Sequence, residues 1–143
     1  MIIKNRRRFL GIAALFVALL PQASAEEAIK RPTAAAEVWV RTELFFGTNK
    51  PTGGPVTDLQ FLIFVDTQVT KRFPDGLTLL SGYGQFRNSN GELIREKSHV
   101  LILLYPPQMT DANKKIQEIR EAYKLAFGQE SVLRVDSFSS VSF

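Results

Sequence analysis

The chain has 143 residues, 45% of them apolar, and carries 18 basic and 14 acidic side chains but no cysteine. Without thiols there are no disulfide staples, thiolate nucleophiles, cysteine-ligated zinc sites, iron–sulfur clusters or lipoprotein anchors. Four of the bases, Lys4, Arg6, Arg7 and Arg8, precede the first apolar run, and from Glu26 onward 14 bases face 14 acids. The high isoelectric point therefore belongs to the leader, and the remainder gives no electrostatic reason to expect a nucleic-acid or anionic-membrane partner.

Residues 1–25 have the layout of a cleavable signal peptide. The basic residues are followed by an apolar run from Phe9 to Leu20, a break at Pro21 and the small-x-small triplet Ala23-Ser24-Ala25. The apolar run is far shorter than the ~20 residues a membrane-spanning helix needs. Cleavage after Ala25 is expected to give a periplasmic or secreted product with no stable membrane insertion. Residues 26–36 read as a flexible lead, and residues 37–143 as one α+β domain.

Val38 to Phe46 alternates as a strand. Val38, Val40, Thr42, Leu44 and Phe46 fall on one face, and Trp39, Arg41, Glu43 and Phe45 on the other. Gly47 to Pro55 is a glycine- and proline-rich loop whose Thr52-Gly53-Gly54 lacks the spacing of a phosphate-binding loop. Thr57 to Phe73 gives two signals. Its β-forming residues favour a strand, while a Thr57/Gln60 capping box and apolar residues at 61, 64, 65, 69 and 73 favour a helix that Pro74 stops. The helix is preferred.

Gly76 to Arg87 reads as a strand bent or bulged near Gly82 and Gly84. It turns at Asn88-Ser89-Asn90-Gly91 and returns as Glu92 to Tyr105. Val100 to Leu104 is apolar on both faces, as a central strand would be. Thr110 to Phe127 is helical, with Thr110 as its cap, Lys114 and Glu118 at pairing distance, and Gly128 beyond its end. Ser131 to Phe138 completes the set, with Leu133 and Val135 expected inward and Val132, Arg134, Asp136 and Phe138 outward. The order β-α-β-β-α-β predicts a ferredoxin-like sandwich, a four-stranded antiparallel sheet with two helices on one face and strands one and three central. Were Thr57 to Phe73 a strand, the domain would be mostly antiparallel with a single helix.

Several runs together form a signature: Glu43-Leu44-Phe45-Phe46-Gly47, Arg72-Phe73-Pro74-Asp75-Gly76-Leu77-Thr78, Gly84-Gln85-Phe86-Arg87, Arg95-Glu96-Lys97-Ser98, Tyr123-Lys124 and Phe127-Gly128-Gln129-Glu130-Ser131-Val132. They resemble the DUF3574 family of small exported bacterial proteins of unknown function, with Phe86 standing where that pattern carries tryptophan. The resemblance implies a bacterial envelope location and brings no activity with it.

Three groups of residues are candidate sites. Arg72 has a planar fork suited to a carboxylate or phosphate, although a packed helix stop followed by a turn accounts for the same residues. Glu96 and Ser98 share a strand face and His99 points the other way, so Ser98 and His99 cannot form a simple nucleophile–base pair. One histidine and scattered carboxylates do not make a metal site. Gln129, Glu130 and Ser131 follow the second helix and are placed either to line a pocket or to cap an edge. Trp39, Arg41, Glu43 and Phe45, joined by Arg134 from the neighbouring strand, make a mixed aromatic and charged face. This face reads either as a cross-strand ladder or as an interface.

The leading expectation is a non-enzymatic envelope domain that binds an unknown small molecule or envelope protein, or pairs as a homodimer through its open sheet face, with no cofactor. The alternative is a small enzyme acting on an organic substrate in a pocket near Arg72, Glu96 and Glu130.

Overall fold

The computed structural model describes residues 36–143. The expected signal peptide, with its expected cleavage after Ala25, and residues 26–35 of the expected lead lie outside the described residues. Four strands and two helices follow in the order β1 (Glu37–Gly47), α1 (Asp58–Phe64), β2 (Thr78–Arg87), β3 (Leu93–Tyr105), α2 (Ala112–Phe127) and β4 (Leu133–Val141). The sheet order is β2-β3-β1-β4 with every pairing antiparallel. This is the ferredoxin-like α+β sandwich, and its central strands are the first and third.

The ambiguous segment after residue 57 is helical because its first turn is satisfied by its own side chains. Thr57 Oγ1 accepts from Gln60 N, and Gln60 Oε1 accepts from Thr57 N, a complete capping box. The helix continues as a π-helical turn over Val65–Val69. Phe61, Phe64, Val65, Val69 and Phe73 are all buried against the sheet, so tertiary burial decides what β-propensity left open.

The core lies between the helices and one face of the sheet. Thr42, Leu44 and Phe46 of β1, and His99, Leu101, Leu103 and Tyr105 of β3, point into it beside Ile116, Ile119 and Tyr123 of α2. Phe46, Phe61, Phe64 and Tyr123 form an aromatic cluster, with Phe46 and Tyr123 centroids 4.6 Å apart.

Four local expectations are corrected. Helix α2 starts one turn-residue later than expected: Asp111 is its N-cap and makes no side-chain cap bond, while Gly128 closes the far end in a left-handed conformation. Glu118 bonds Arg72 across the two helices instead of pairing with Lys114. Strand β2 has no bulge at Gly82 or Gly84, since its register against β3 runs unbroken from Thr78↔Ile102 to Arg87↔Leu93.

Finally, the faces of β4 are inverted. Leu133 pairs with Phe45 and Val135 with Glu43, which puts both on the open face, whereas Arg134 sits opposite Leu44 on the helix side. Val132 just precedes the strand and is fully buried, its carbonyl taking two hydrogen bonds from Arg120. That anchor fixes the register and so reverses the parity of everything after it.

Candidate functional site

The open face of the sheet carries the site. Two strand segments meet there, the end of β1 at Gly47 and the first residues of β3 around Glu96. They stay in step because Gly47 pairs with Ser98, and Glu96 pairs with Gly84 on the other side. The chain leaving β1 must turn immediately, and its freed N–H groups need acceptors. Glu96 supplies one. Its Oε2 accepts from Thr48 N at 2.7 Å and from Asn49 N at 2.6 Å, while Thr48 Oγ1 donates to Lys97 O at 2.8 Å. The carboxylate is buried over Gly47, and a Cβ built on Gly47 would stand 2.3 Å from Glu96 Oε1. Any side chain at position 47 would therefore displace it.

Behind Gly47 stands Tyr123. Its phenol is buried and donates to the Gly47 carbonyl at 2.9 Å. Burial pushes the Tyr123 ionisation upward, and the nearby Glu96 charge adds to the effect. The phenol therefore stays a proton donor wherever the protein is folded and near neutral.

Around this floor lies a concave pocket of about 500 Å³. Phe45, Phe86, Ile94 and Leu133 give it apolar walls, Asn49 to Pro51 and Gly128 to Ser131 rise as loops, and Glu96, Gly47, Gly84 and Ser98 form the bottom. Gln129 Nε2 donates to Asn49 O at 2.7 Å, tying the two loops together, and Ser89 Oγ donates to Glu130 Oε1 at 3.0 Å, joining the β2–β3 turn to the far wall. Glu96 Oε2 is fully engaged. Oε1 has no hydrogen-bond partner among the described residues, and it is not one of the buried unpartnered atoms, so it remains accessible from the pocket.

Glu96 and Ser98 of β3 are thus brought together with Gln129 and Glu130 of the loop between α2 and β4. Arg72 is not with them. It lies in the helix layer, donating to Gln68 O at 2.7 Å and Glu118 Oε2 at 3.0 Å, so it clamps the helices and faces no pocket ligand.

The face read as an interface is also divided. Trp39, Arg41, Glu43 and Phe45 do share the open side, but Arg41 and Glu43 bond each other at 2.7 Å along the same strand. Their cross-strand neighbours are Leu104, Ile102, Ser137 and Val135, so no charge ladder forms. Arg134 is on the other side, bonded to Asn113 Oδ1 and Asp136 Oδ1. Trp39 is partly covered within the chain, its ring centroid 5.3 Å from that of Phe143.

His99 belongs to the core. Its ring stacks on Phe61 at 4.1 Å, Nδ1 bonds Ser81 Oγ at 3.0 Å, and Nε2 stands 3.5 Å from Asp58. Burial, with Lys97 nearby, holds its basicity below that of free histidine against the opposing pull of Asp58. Among the described residues no group of three or more histidine, aspartate or glutamate side chains converges for a metal ion.

Sequence reasoning missed the loop residues Asn49, Lys50 and Pro51 and the floor glycines Gly47 and Gly84. The available signal was a pair of glycines on strands that otherwise alternate regularly.

These features define a ferredoxin-like domain with a pocket on its uncovered sheet face. The chain belongs to the DUF3574 family, described as a protein of unknown function, which matches residues 41–143. No curated protein matches it. Among solved structures, it is similar to a phage SAM lyase in complex with S-methyl-5'-thioadenosine, with a TM-score of 0.56, 19% identity, and coverage of 80% of this chain and 95% of that one. The apo state of a phage SAM lyase aligns with a TM-score of 0.51 at 16% identity, covering 88% and 97%. At these identities the likeness is one of fold.

Proposed function

We propose that this domain binds, and acts on, a small organic substrate in the open-face pocket, with Glu96 as the side chain that receives a donor or a proton from it. The observation that carries this reading is the state of Glu96. One carboxylate oxygen is fixed by two backbone N–H groups and the other has no partner among the described residues and borders the pocket, so the group is held in place before any ligand arrives. Pockets of roughly 300–1,000 Å³ with mostly apolar walls and a few placed polar groups suit small molecules. An enzyme of the same fold, described as a SAM lyase complexed with S-methyl-5'-thioadenosine, makes a nucleoside thioether the first ligand to try.

Isothermal titration with S-methyl-5'-thioadenosine and with SAM, paired with chromatography of the SAM incubation, tests the proposal. Saturable binding that weakens at least tenfold in Glu96→Gln is the expected result. Unchanged affinity in that variant would remove Glu96 from the role.

A second reading is self-association through the same face, leaving an envelope partner as the other occupant. It is favoured by Leu80, Phe86, Leu104, Leu133 and Val135, all exposed on that side. Sedimentation at micromolar concentration would show a dimer that Leu104→Glu converts to monomer. A wild-type chain that stays monomeric at about 100 µM, some hundredfold above a typical micromolar dissociation constant, would end this reading.

A further inference from the structure

Gly84 has no structural reason to be glycine. It lies within a regular strand opposite Glu96, its register is unbroken, and its φ is not among the positive ones. A Cβ built there would make only an ordinary contact, 3.7 Å from Ser98 Cβ, and one built on neighbouring Gly82 would meet nothing within 4 Å. Glycine in a strand interior weakens the strand and often marks a bulge, a tight bend or a site where a ligand approaches the backbone closely, and no bulge interrupts this register. The position faces the pocket, and the space above it is bounded by Phe86 on its own strand.

Resting on the pocket reading above, we infer that the ligand is a flat cation or a flat ring bearing N–H donors. It lies on the bare peptide surface at Gly84 and reaches Glu96 Oε1 with its donor edge. Three observations fix these terms. The floor lacks a side chain at Gly84, opposite Glu96, whose carboxylate already covers Gly47, and this leaves a shelf for a planar group beside the ring of Phe86. Glu96 Oε1, over Gly47, is an acceptor beside that shelf with no partner among the described residues. The ionisable lining consists of Glu96 and Glu130 against Lys50, a balance that disfavours ligands of net negative charge. A planar donor array, such as an amidinium or an aminated heterocycle, meets a carboxylate with parallel N–H bonds, whereas a saturated amine offers a point charge and no flat face.

Matched probes test the inference by amide chemical-shift titration of residues 47, 84 and 96. Benzamidinium is flat and cationic, benzoate flat and anionic, and cyclohexylammonium cationic without a flat face. Benzamidinium is expected to bind at least tenfold more tightly than either of the others. Gly84→Val is expected to keep or raise the melting temperature while weakening benzamidinium at least tenfold, and Glu96→Gln should weaken it comparably.

Benzoate or cyclohexylammonium binding as well as benzamidinium would overturn the ligand class while leaving the pocket reading intact. Equal binding by Gly84→Val, or loss of its fold, would overturn the shelf. If none of the three probes shifts these amides in the wild-type protein, the pocket reading fails with it.

Discussion

The two faces of the sheet differ in kind. Toward the helices, β1 and β3 present Leu44, Phe46, Leu101 and Leu103 with no solvent exposure, meeting Ile116, Ile119 and Tyr123 in a closely filled layer. On the opposite face the same strands present Arg41, Glu43, Phe45, Glu96 and Ser98, interrupted by Gly47 and bordered by half-exposed leucines and valines. One face is filled to interior density, so every atom there bears on stability. The other is left concave, and of its Glu96 carboxylate the fold uses only one oxygen. Residues adjacent in sequence, such as Ser98 and His99, consequently serve different ends because a strand sends them to different faces.

Substitutions can break or sharpen this contrast. The largest effect is expected on the packed side, where Phe64 touches the rings of Phe46, Tyr123 and Phe127. Phe64→Ala should cost about 3–5 kcal/mol in urea unfolding through the cavity it leaves. A loss below about 1 kcal/mol would mean that the helix layer does not hold the domain together.

Gly47→Ala is the one change on the open side expected to act like a core lesion. The added methyl would invade the Glu96 carboxylate, at a cost of about 1–3 kcal/mol. Removing the carboxylate as well, in Gly47→Ala/Glu96→Ala, should show strong coupling in a double-mutant cycle, and simple additivity would place Glu96 elsewhere.

Tyr123 links the faces, and Tyr123→Phe should cost about 1–2 kcal/mol because the Gly47 carbonyl loses its buried donor. Its ionisation is raised in the folded state, so its stabilisation is complete below the unfolded phenol's pKa of about 10 and declines as pH rises beyond it. The alkaline decline in stability should be smaller in Tyr123→Phe, and an unchanged profile would contradict its burial.

His99 gives a smaller effect confined to acid. Its folded-state basicity is depressed, so the unfolded chain takes up the proton first and stability falls as pH drops below about 6.5. Burial sets that balance, with Lys97 adding to it and Asp58 opposing it, and His99→Gln should flatten the curve between about pH 6.5 and 5. The smallest effect belongs to Val135 on the open side, where Val135→Ser should change stability by less than about 0.5 kcal/mol. A larger loss would show that this surface is covered in solution.

Much of the fold was legible from particular residues. Alternation from Val38 to Phe46 assigned both faces of β1 correctly, because a central strand with one buried face obeys a period of two along its whole length. The capping box at Thr57 outweighed the β-forming residues after it, since local hydrogen bonds at a helix end are specified by a few neighbouring positions. The site was legible in part. Shared parity joined Glu96 to Ser98, while Arg72, an equally plausible anion ligand by type, turned out to bridge two helices.

What the sequence determined by itself was therefore whatever depends on short-range pattern: the alternation of β1, the capping box at Thr57, the hairpin turn and the order of elements that dictates the sandwich. The tertiary structure alone decided the parity of β4, because an edge strand carries weak alternation and its register follows from Val132 being anchored under Arg120. It alone decided that Glu96 spends one oxygen on the turn after β1 and leaves the other to the pocket. That division requires residues 47 and 96 to meet in space, and no spacing along the chain encodes their distance.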